Sequence, residues 1–241
     1  MPLQSLNRTL KMNIPDPTQT PLSQEFQPWP KMARLSREII ITEKIDGTNA
    51  QVYVVPLAEF STLFQVTYYD EQFAIFAGSR TRWIVPGNDN YGFAAWVRDN
   101  GPELMKLGLG RHYGEWFGAG IQRRYGLEEK RFALFNTLRW GYVDRVSRGP
   151  VVDLKTCLLG PMCCHVVPVL YRGEFNTVSI ELIVDELRDN GSAAVPGFMK
   201  PEGVVIFHVA AGIGFKKTLE NDEAPKSTIV DPSANPCETV P

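Results

Sequence analysis

The sequence has few cysteines, no long apolar run and almost no net charge. Its 241 residues include four cysteines in no regular spacing, and the N-terminus carries no apolar signal region. We therefore expect a reducing, intracellular and cytoplasmic location rather than a secreted disulfide framework. No apolar stretch approaches the length of a membrane span, so no membrane partner is expected. The formal net charge of −2 leaves nucleic-acid binding open, because a local basic groove can bind phosphates on an otherwise acidic surface.

The rest of the composition is that of an ordinary globular domain. Hydrophobic residues make up 44% of the chain and charged residues 22%, which provides enough apolar material for a sizeable core. Prolines interrupt residues 1–36, so this segment is expected to be an extended arm laid over the domain. Residues 227–241 are polar and contain prolines, which predicts a flexible tail. We place the folded domain at residues 37–226.

β-Branched and aromatic runs dominate the folded part and predict mostly strands. One helix is clear at Asn176–Asn190, with Asn176 as its N-cap and Gly191 as its stop. The apolar face of this helix is expected to contain Val178, Leu182, Ile183 and Leu187. The other expected helices are 91–98 and 102–107, and the expected strands are 38–43, 50–55, 63–69, 72–77, 112–118, 131–136, 166–170, 201–207 and 215–218.

Lys44 stands at the end of a β-branched run and enters a turn that carries Asp46, Gly47 and Asn49. Glycine allows a tight turn or a close approach to a ligand, and the Asp and Asn side chains supply turn hydrogen bonds. A lysine presented at the end of a strand is a candidate nucleophile. Taken alone, the same string also fits a strand-to-strand turn with a solvated lysine, so residues elsewhere must decide.

Four residues in the middle of the chain are further candidates for a functional site, each with a structural alternative. Arg80 and Arg82 alternate in a small-residue turn, so an extended backbone would place both on one side. They fit phosphate recognition, and they also fit a solvated pair at a strand end. Glu115 lies in a predicted strand among aromatic side chains, where a buried carboxylate needs a partner. Phe135 lies on an apolar strand, and by itself it reads as a core residue.

Further candidate site residues are charged, and they lie near the C-terminus and in one central interval. A predicted hairpin places Glu202 and Lys216 at its two polar positions, and Lys217 follows directly. The densest basic interval lies between residues 123 and 148 and is the candidate nucleic-acid surface, although surface arginines are also common. Its candidate contacts are Arg123, Arg124, Arg145 and Arg148.

Six short motifs, taken in this order, resemble those of ATP-dependent polynucleotide ligases, and the RNA ligase branch is the best match. They cover roughly residues 38 to 220. The resemblance implies an α+β nucleotidyltransferase fold, built from antiparallel β-sheets with flanking helices. The motifs are Glu43–Asn49, Ser79–Thr81, Gly114–Gly118, Phe132–Phe135, Glu202–Val205 and Phe215–Lys217.

The resemblance also implies a role for individual residues. Lys44 matches the nucleophile that attacks the α-phosphate of ATP and then holds AMP through a phosphoramidate bond. Glu115 matches the carboxylate that hydrogen-bonds the ribose, and Phe135 matches the ring that stacks on adenine. Arg80, with Arg82 beside it, matches the contact to the 5′-phosphate end of the nucleic acid.

The remaining motif residues complete the implied nucleotide and metal site. Glu43 matches a position that helps to read adenine, and Asn49 belongs to the same nucleotide-binding motif. Glu202 and Asp46 are the acidic residues expected around a metal, directly or through water. The final motif supplies lysines to the α-phosphate. Many relatives have these lysines two residues apart, whereas here they are adjacent. Lys216 is the expected contact, with Lys217 as the alternative.

The implied substrates are ATP and RNA with 5′-phosphate and 3′-hydroxyl ends, and the implied metal is Mg²⁺ or Mn²⁺, since hard oxygen ligands and phosphates suit these ions. The chain resembles a minimal ligase without the C-terminal domain that many ligases use to hold their substrate. We expect the basic interval or a helper protein to replace the substrate contacts of that domain. Three alternatives stay open: a DNA nick ligase, a GTP-dependent capping-type enzyme, and a non-catalytic nucleic-acid binding module of the same fold.

Overall fold

The structure, a computed structural model, describes residue 29 and residues 31–59, 65–140, 160–220 and 222. The chain divides into two units, Met1–Ala33 and Arg34–Pro241. In the first unit, residues 29 and 31–33 form neither helix nor strand. Every element below belongs to the second unit. Most of the predicted arm and the whole predicted tail lie outside the described residues.

The described part of the second unit contains eleven strands and four α-helices. Two 3₁₀ helices, Leu57–Glu59 and Met105–Leu107, also occur there. The helices are α1 (Phe93–Asp99), α2 (Gly101–Leu104), α3 (Thr137–Trp140) and α4 (Thr177–Asn190). The strands are β1 (Glu38–Lys44), β2 (Thr48–Pro56), β3 (Tyr68–Tyr69), β4 (Phe73–Ser79), β5 (Trp83–Ile84), β6 (Gly110–Gly118), β7 (Lys130–Leu134), β8 (Cys164–Val166), β9 (Val169–Glu174), β10 (Gly203–His208) and β11 (Ile213–Thr218).

These strands form two sheets. The smaller sheet has the order β11-β10-β1-β9, and all of its pairs are antiparallel. The larger sheet has the order β3-β4-β2-β6-β7-β8, with β5 paired to β4. Among the described strands, β7 and β8 make the one parallel pair. β1 and β2 are consecutive in the chain but lie in different sheets, so the turn at residues 45–47 passes from one sheet to the other.

Helix α4 packs on one face of the smaller sheet. Ile39 and Ile41 alternate along β1 toward this face, as side chains two apart do on a strand. They pack with Val204 of β10 and with Val184 and Leu187 of α4. The helix begins at Asn176, whose side chain accepts a hydrogen bond from the Val178 N–H and so caps the first turn.

Helix α1 covers one face of the larger sheet. Its side chains Phe93, Ala94 and Val97 are fully buried and pack in one cluster with Val52 and Val54 of β2. The alternate residues of β2 therefore point to the opposite face of the sheet, which faces away from α1.

The α+β class and the long helix are confirmed, but the predicted apolar face of that helix is partly wrong. Val178 and Leu182 are 63% and 62% exposed. The smaller sheet contacts a stripe that begins at Ile180 and continues through Val184 and Leu187, which is the spacing of three and four residues on one helix face. No helix in the described residues is both long and apolar enough to cross a membrane.

Candidate active site

A cleft of about 660 Å³ lies between the two sheets, and its size is typical of small-molecule sites. Residues of β1 and β10 line it from the smaller sheet, and residues of β6 and β7 line it from the larger one. Helix α3 borders the same space. The residues that line it include Glu43, Lys44, Asn49, Arg111, Tyr113, Glu115, Phe135 and Trp140.

Lys44 and Glu202 form an ion pair beside this cleft. The Lys44 ammonium nitrogen Nζ lies 2.5 Å from Glu202 Oε2. The two residues meet because β1 pairs with β10 in a register that places Lys44 opposite Gly203. The Glu202 side chain is almost fully buried, while Lys44 keeps about a fifth of its side-chain surface exposed. The predicted nucleophile and the predicted metal-side acid are therefore direct partners.

Hydrogen bonds and close packing fix the turn that follows Lys44. The Asp46 N–H donates to the Tyr125 hydroxyl at 2.8 Å, and Asp46 Oδ2 accepts from Arg123 Nε at 3.2 Å. Burial raises the pKa of the Tyr125 hydroxyl, so this group keeps its proton. Gly47 has no space for a side chain, because a Cβ there would lie 2.4 Å from the Trp116 carbonyl oxygen. The glycine predicted for a tight turn is thus required by close packing.

Glu115 joins the turn to the larger sheet. Its two carboxylate oxygens accept from the Gly47 N–H and from Asn49 Nδ2, each at 3.1 Å. Burial raises the pKa of Glu115 to about 7, while the charge of Lys44 acts in the opposite direction and the charge of Glu202 adds to the rise. A carboxylate with this pKa changes its charge within the physiological range.

Glu43 points away from Lys44, because neighbouring residues of a strand face opposite sides. One oxygen of the Glu43 carboxylate accepts from the Ser192 hydroxyl at 2.6 Å, and the other accepts from the Ala194 N–H at 2.7 Å. Burial raises the pKa of Glu43, and these hydrogen bonds oppose the rise. Both oxygens are therefore engaged by the loop that follows α4, and Glu43 borders the cleft without directing its carboxylate there.

The two lysines of β11 face different sides of the smaller sheet. Lys216 lies opposite Val205, whereas Lys217 lies opposite Val204, and directly opposed residues in a sheet share a face. Val205 lines the cleft, so Lys216 is on the cleft side and is exposed. Lys217 Nζ instead donates to Glu181 of α4 at 2.8 Å.

Phe135 and the predicted nucleic-acid arginines occupy different surroundings. Phe135 lines the cleft and is 42% exposed, so it is not the core residue that its strand alone would suggest. Arg80 is exposed in the turn after β4, and Arg82 Nη1 donates to the Asn88 carbonyl oxygen. Neither of these two arginines lines the cleft.

The predicted basic interval lies partly outside the described residues, and its two described arginines have different surroundings. Arg123 is occupied by Asp46 and by the Lys200 carbonyl oxygen, while Arg124 is exposed. Arg124 also has a left-handed backbone conformation, with φ 59°, which is uncommon for a residue other than glycine. Arg145 and Arg148 lie outside the described residues.

Several residues that line the cleft or contact its lining were not expected from the sequence. Tyr125 and Ser192 were not singled out, since their partners are 79 and 149 positions away in the chain. Arg111 and Tyr113 were also missed. Both alternate with Glu115, and a period of two was a usable signal, but the predicted strand began at residue 112 and so left out Arg111, whereas the observed strand begins at Gly110. Among the described residues, Trp140 Nε1 is the buried side-chain polar atom without a hydrogen-bond partner.

The carboxylates around Lys44 suit a magnesium ion by their chemistry. Glu202 and Asp46 supply oxygen donors of the kind that Mg²⁺ prefers. In the described residues, no group of three His, Cys, Asp or Glu side chains is arranged to hold a metal. A metal at this position would therefore need further ligands, for which phosphate oxygens and water are suited.

The fold and the cleft together define an α+β domain with a buried polar site between two sheets. The family model described as RNA ligase matches residues 37–216. The chain belongs to the RNA ligase family. No curated protein sequence matches it significantly.

Solved structures of an RNA ligase from Naegleria gruberi are similar in fold. One mutant of that ligase, with ATP and Mn, has a TM-score of 0.51 and 19% identity, and the match covers 77% of this chain and 51% of the ligase. Another mutant, in the apo form, has a TM-score of 0.48 and 21% identity, with 76% and 50% covered. The chain thus spans about half the length of these ligase structures.

Proposed function

We propose that this chain is an ATP-dependent RNA ligase that forms a covalent AMP intermediate on Lys44. The observation that carries the proposal is the ion pair between Lys44 and Glu202 at the cleft between the sheets. A lysine held by an ion pair beside a cleft large enough for a nucleotide suits covalent catalysis. Membership in the RNA ligase family supports the same assignment.

The first step is nucleotidyl transfer to the lysine. The neutral amine of Lys44 attacks the α-phosphorus of ATP, a nitrogen–phosphorus bond forms, and the bond to the departing pyrophosphate breaks. An ammonium ion has no lone pair, so Lys44 first loses a proton. Glu202 Oε2 already accepts a hydrogen bond from Nζ, and it is the group proposed to take that proton.

The described side chains suit the parts of a bound nucleotide. Glu115 and Asn49 present hydrogen-bonding groups to the ribose, and Phe135 presents an exposed ring for stacking on adenine. Lys216 is on the cleft side of β11 and can approach the α-phosphate. Glu202 and Asp46, directly or through water, would hold a Mg²⁺ or Mn²⁺ ion, which supplies positive charge that offsets the charge of the phosphates.

The later steps require nucleic acid. AMP passes from Lys44 to the 5′-phosphate of an RNA strand, and a 3′-hydroxyl then displaces AMP and seals the break. Arg80 and Arg82 are proposed to contact the 5′-phosphate end, because arginine binds phosphates with several donors at once. Arg124 is exposed and can extend this contact, whereas Arg123 is proposed mainly to position Asp46.

The proposal is tested by incubating the purified chain, free of bound AMP, with α-³²P-labelled ATP and magnesium. We expect wild type to take up label and Lys44→Ala to take up none. Lys106→Ala is the matched control, because Lys106 pairs with Glu103 at the surface and does not line the cleft. Absence of label in wild type would contradict the proposal, and equal labelling of Lys44→Ala would place the nucleophile elsewhere.

Two further arms of the same experiment separate the alternatives. Labelling from GTP but not from ATP would favour a capping-type enzyme. Sealing of nicked DNA but not of nicked RNA by the labelled protein would favour a DNA ligase. Nucleic-acid binding without any label would favour a non-catalytic binding module.

A further inference from the structure

The face of the larger sheet that points away from α1 carries an arginine stacked on aromatic rings. The Arg111 guanidinium carbon Cζ lies 4.2 Å from the centre of the Tyr53 ring and 5.1 Å from that of the Trp83 ring. The Tyr53 and Trp83 rings are themselves stacked, with centres 5.9 Å apart. Arg111 Nη1 also donates to Gln51 Oε1 at 3.1 Å. The guanidinium is therefore held in one place, and within the described residues its other donors form no hydrogen bond.

This face is continuous with the cleft. Strand β6 pairs with β2 so that Glu115 lies opposite Asn49, Tyr113 opposite Gln51 and Arg111 opposite Tyr53. The three β6 side chains alternate along one strand and share a face. Each two-residue step along a strand covers about 6.6 Å, so Arg111 lies about 13 Å from Glu115. Tyr113 and Arg111 also line the cleft.

The composition of this surface distinguishes it from an ordinary sheet face. Tyr113 is 52% exposed, and Arg111 is exposed as well. Arg80 and Arg82 lie in the turn that joins β4 to β5, beside Trp83. In the described part of the chain, none of these three arginines forms an ion pair with a carboxylate. The surface therefore combines positive charge with exposed and partly exposed rings.

Proteins that bind single-stranded nucleic acid use this combination. Positive side chains follow the phosphates, and bases stack on aromatic rings regardless of sequence. A purely structural role for Arg111, as a cover over Tyr53 and Trp83, would account for its stacking. It would not account for the exposed Tyr113 between Arg111 and Glu115, or for the neighbouring arginines that form no ion pair within the described residues.

We propose that Tyr53, Trp83, Arg111 and Tyr113, which we name the Arg111 face, form a binding subsite for single-stranded RNA that leads to the cleft. Tyr113 stacks on a base, and Arg111, oriented by Tyr53 and Gln51, contacts a backbone phosphate. The link to RNA rests on the proposed ligase function. The chemistry of the surface by itself indicates only a nucleic-acid strand with negative charge and unpaired bases as its ligand.

The test is the binding of a fluorescein-labelled single-stranded RNA of twelve nucleotides, measured by anisotropy in EDTA without ATP over a range of salt concentrations. We expect Arg111→Gln to weaken binding about fivefold to fiftyfold and to reduce the slope of log K against log salt by about 0.7, the value for one phosphate contact on a single strand. Tyr113→Ser should weaken binding by between about fivefold and a hundredfold with the slope unchanged, because stacking is not ionic.

Arg98→Gln is the matched control. Arg98 is an exposed arginine on α1, on the opposite side of the same sheet, and its nearest charged partner is Asp99. Binding by this variant should equal that of wild type. Equal weakening by Arg98→Gln, or wild-type binding by both Arg111→Gln and Tyr113→Ser, would overturn the proposal.

Circular dichroism and thermal unfolding show whether each variant is folded. If Arg111→Gln is unfolded, Tyr113→Ser decides alone, since its exposed ring supports little of the core. Failure of wild type to bind the RNA would also overturn the proposal. That result is distinct from failure of the ligase assignment, because labelling of Lys44 requires no RNA and is measured separately.

Discussion

Glu43 and Lys44 are adjacent in sequence, but their side chains serve opposite faces of the same strand. Lys44 reaches Glu202 beside the cleft, and Glu43 reaches Ser192 and Ala194 behind it. We therefore infer that Glu43 positions the strand end from which Lys44 projects, instead of reading adenine with its carboxylate. The next prediction separates these two roles.

Replacing Glu43 should lower the free energy of unfolding and leave the preference for ATP over GTP unchanged. In Glu43→Ala the Ser192 hydroxyl and the Ala194 N–H lose their acceptors, and each unsatisfied buried group costs about 1–3 kcal/mol. Urea unfolding measures the loss, with Glu186→Ala on the exposed side of α4 as the control. An unchanged unfolding free energy, together with labelling from GTP as well as ATP, would instead support a role in reading adenine.

The two lysines of β11 should differ strongly in their effect on labelling. Lys216 is on the cleft side, so Lys216→Ala should slow labelling by about a hundredfold, the usual effect of removing one charge-stabilising group. Lys217 pairs with Glu181 at the surface, and such exposed pairs contribute only about 0–1 kcal/mol. Rates of label uptake at fixed ATP provide the comparison. A larger loss in Lys217→Ala would reverse the assignment.

Gly47 should not tolerate a side chain. The Cβ of Gly47→Ala would lie 2.4 Å from the Trp116 carbonyl oxygen and 2.8 Å from Phe117 Cβ. The β2–β6 pairing has to shift to relieve this overlap, which should cost about 1–3 kcal/mol of unfolding free energy. Gly214→Ala is the control, because the nearest atom to its Cβ is 3.9 Å away. Equal unfolding midpoints for the two variants would refute the packing argument.

Stability should depend on pH through Glu115. Its pKa is about 7 in the folded chain against an ordinary value of 4.5, so between these values the folded state binds more protons than the unfolded state. The stability associated with this group is present below pH 4.5 and is lost as the pH rises through 7, by up to about 3 kcal/mol. Urea unfolding at pH 5 and pH 8 should show a smaller decrease in Glu115→Gln than in wild type. An identical decrease would assign the pH dependence to other groups.

Many of the residues at the cleft could be singled out from the sequence because they lie in short segments whose local pattern is strong. The β-branched run before Lys44, the glycine-bounded strand around Glu115 and the hairpin around Glu202 and Lys216 each have a recognisable period or turn. Their order in the chain then indicated the ligase family, which the family match confirms.

What could not be predicted depends on contacts between distant segments. Ser192, a partner of Glu43, lies 149 positions later in the chain, after helix α4, and no local pattern links the two residues. The local pattern also did not predict that Val178 and Leu182 of α4 are exposed. Hydrophobicity alone does not say which of two overlapping apolar stripes the sheet will cover, and the geometry of α4 on β1 and β10 decides it.

Lys44 and Glu202 are separated by 158 positions in the chain, and this separation has a consequence during synthesis on the ribosome. A growing chain exposes its lysine long before the strand that supplies the carboxylate has been made. The smaller sheet is incomplete until β10 pairs with β1. These two strands are far apart in the sequence, and pairings of this kind form slowly. We therefore expect incomplete chains that end before residue 202 to carry the lysine without its partner, and the proposed covalent site to form only when the last strands of that sheet are in place.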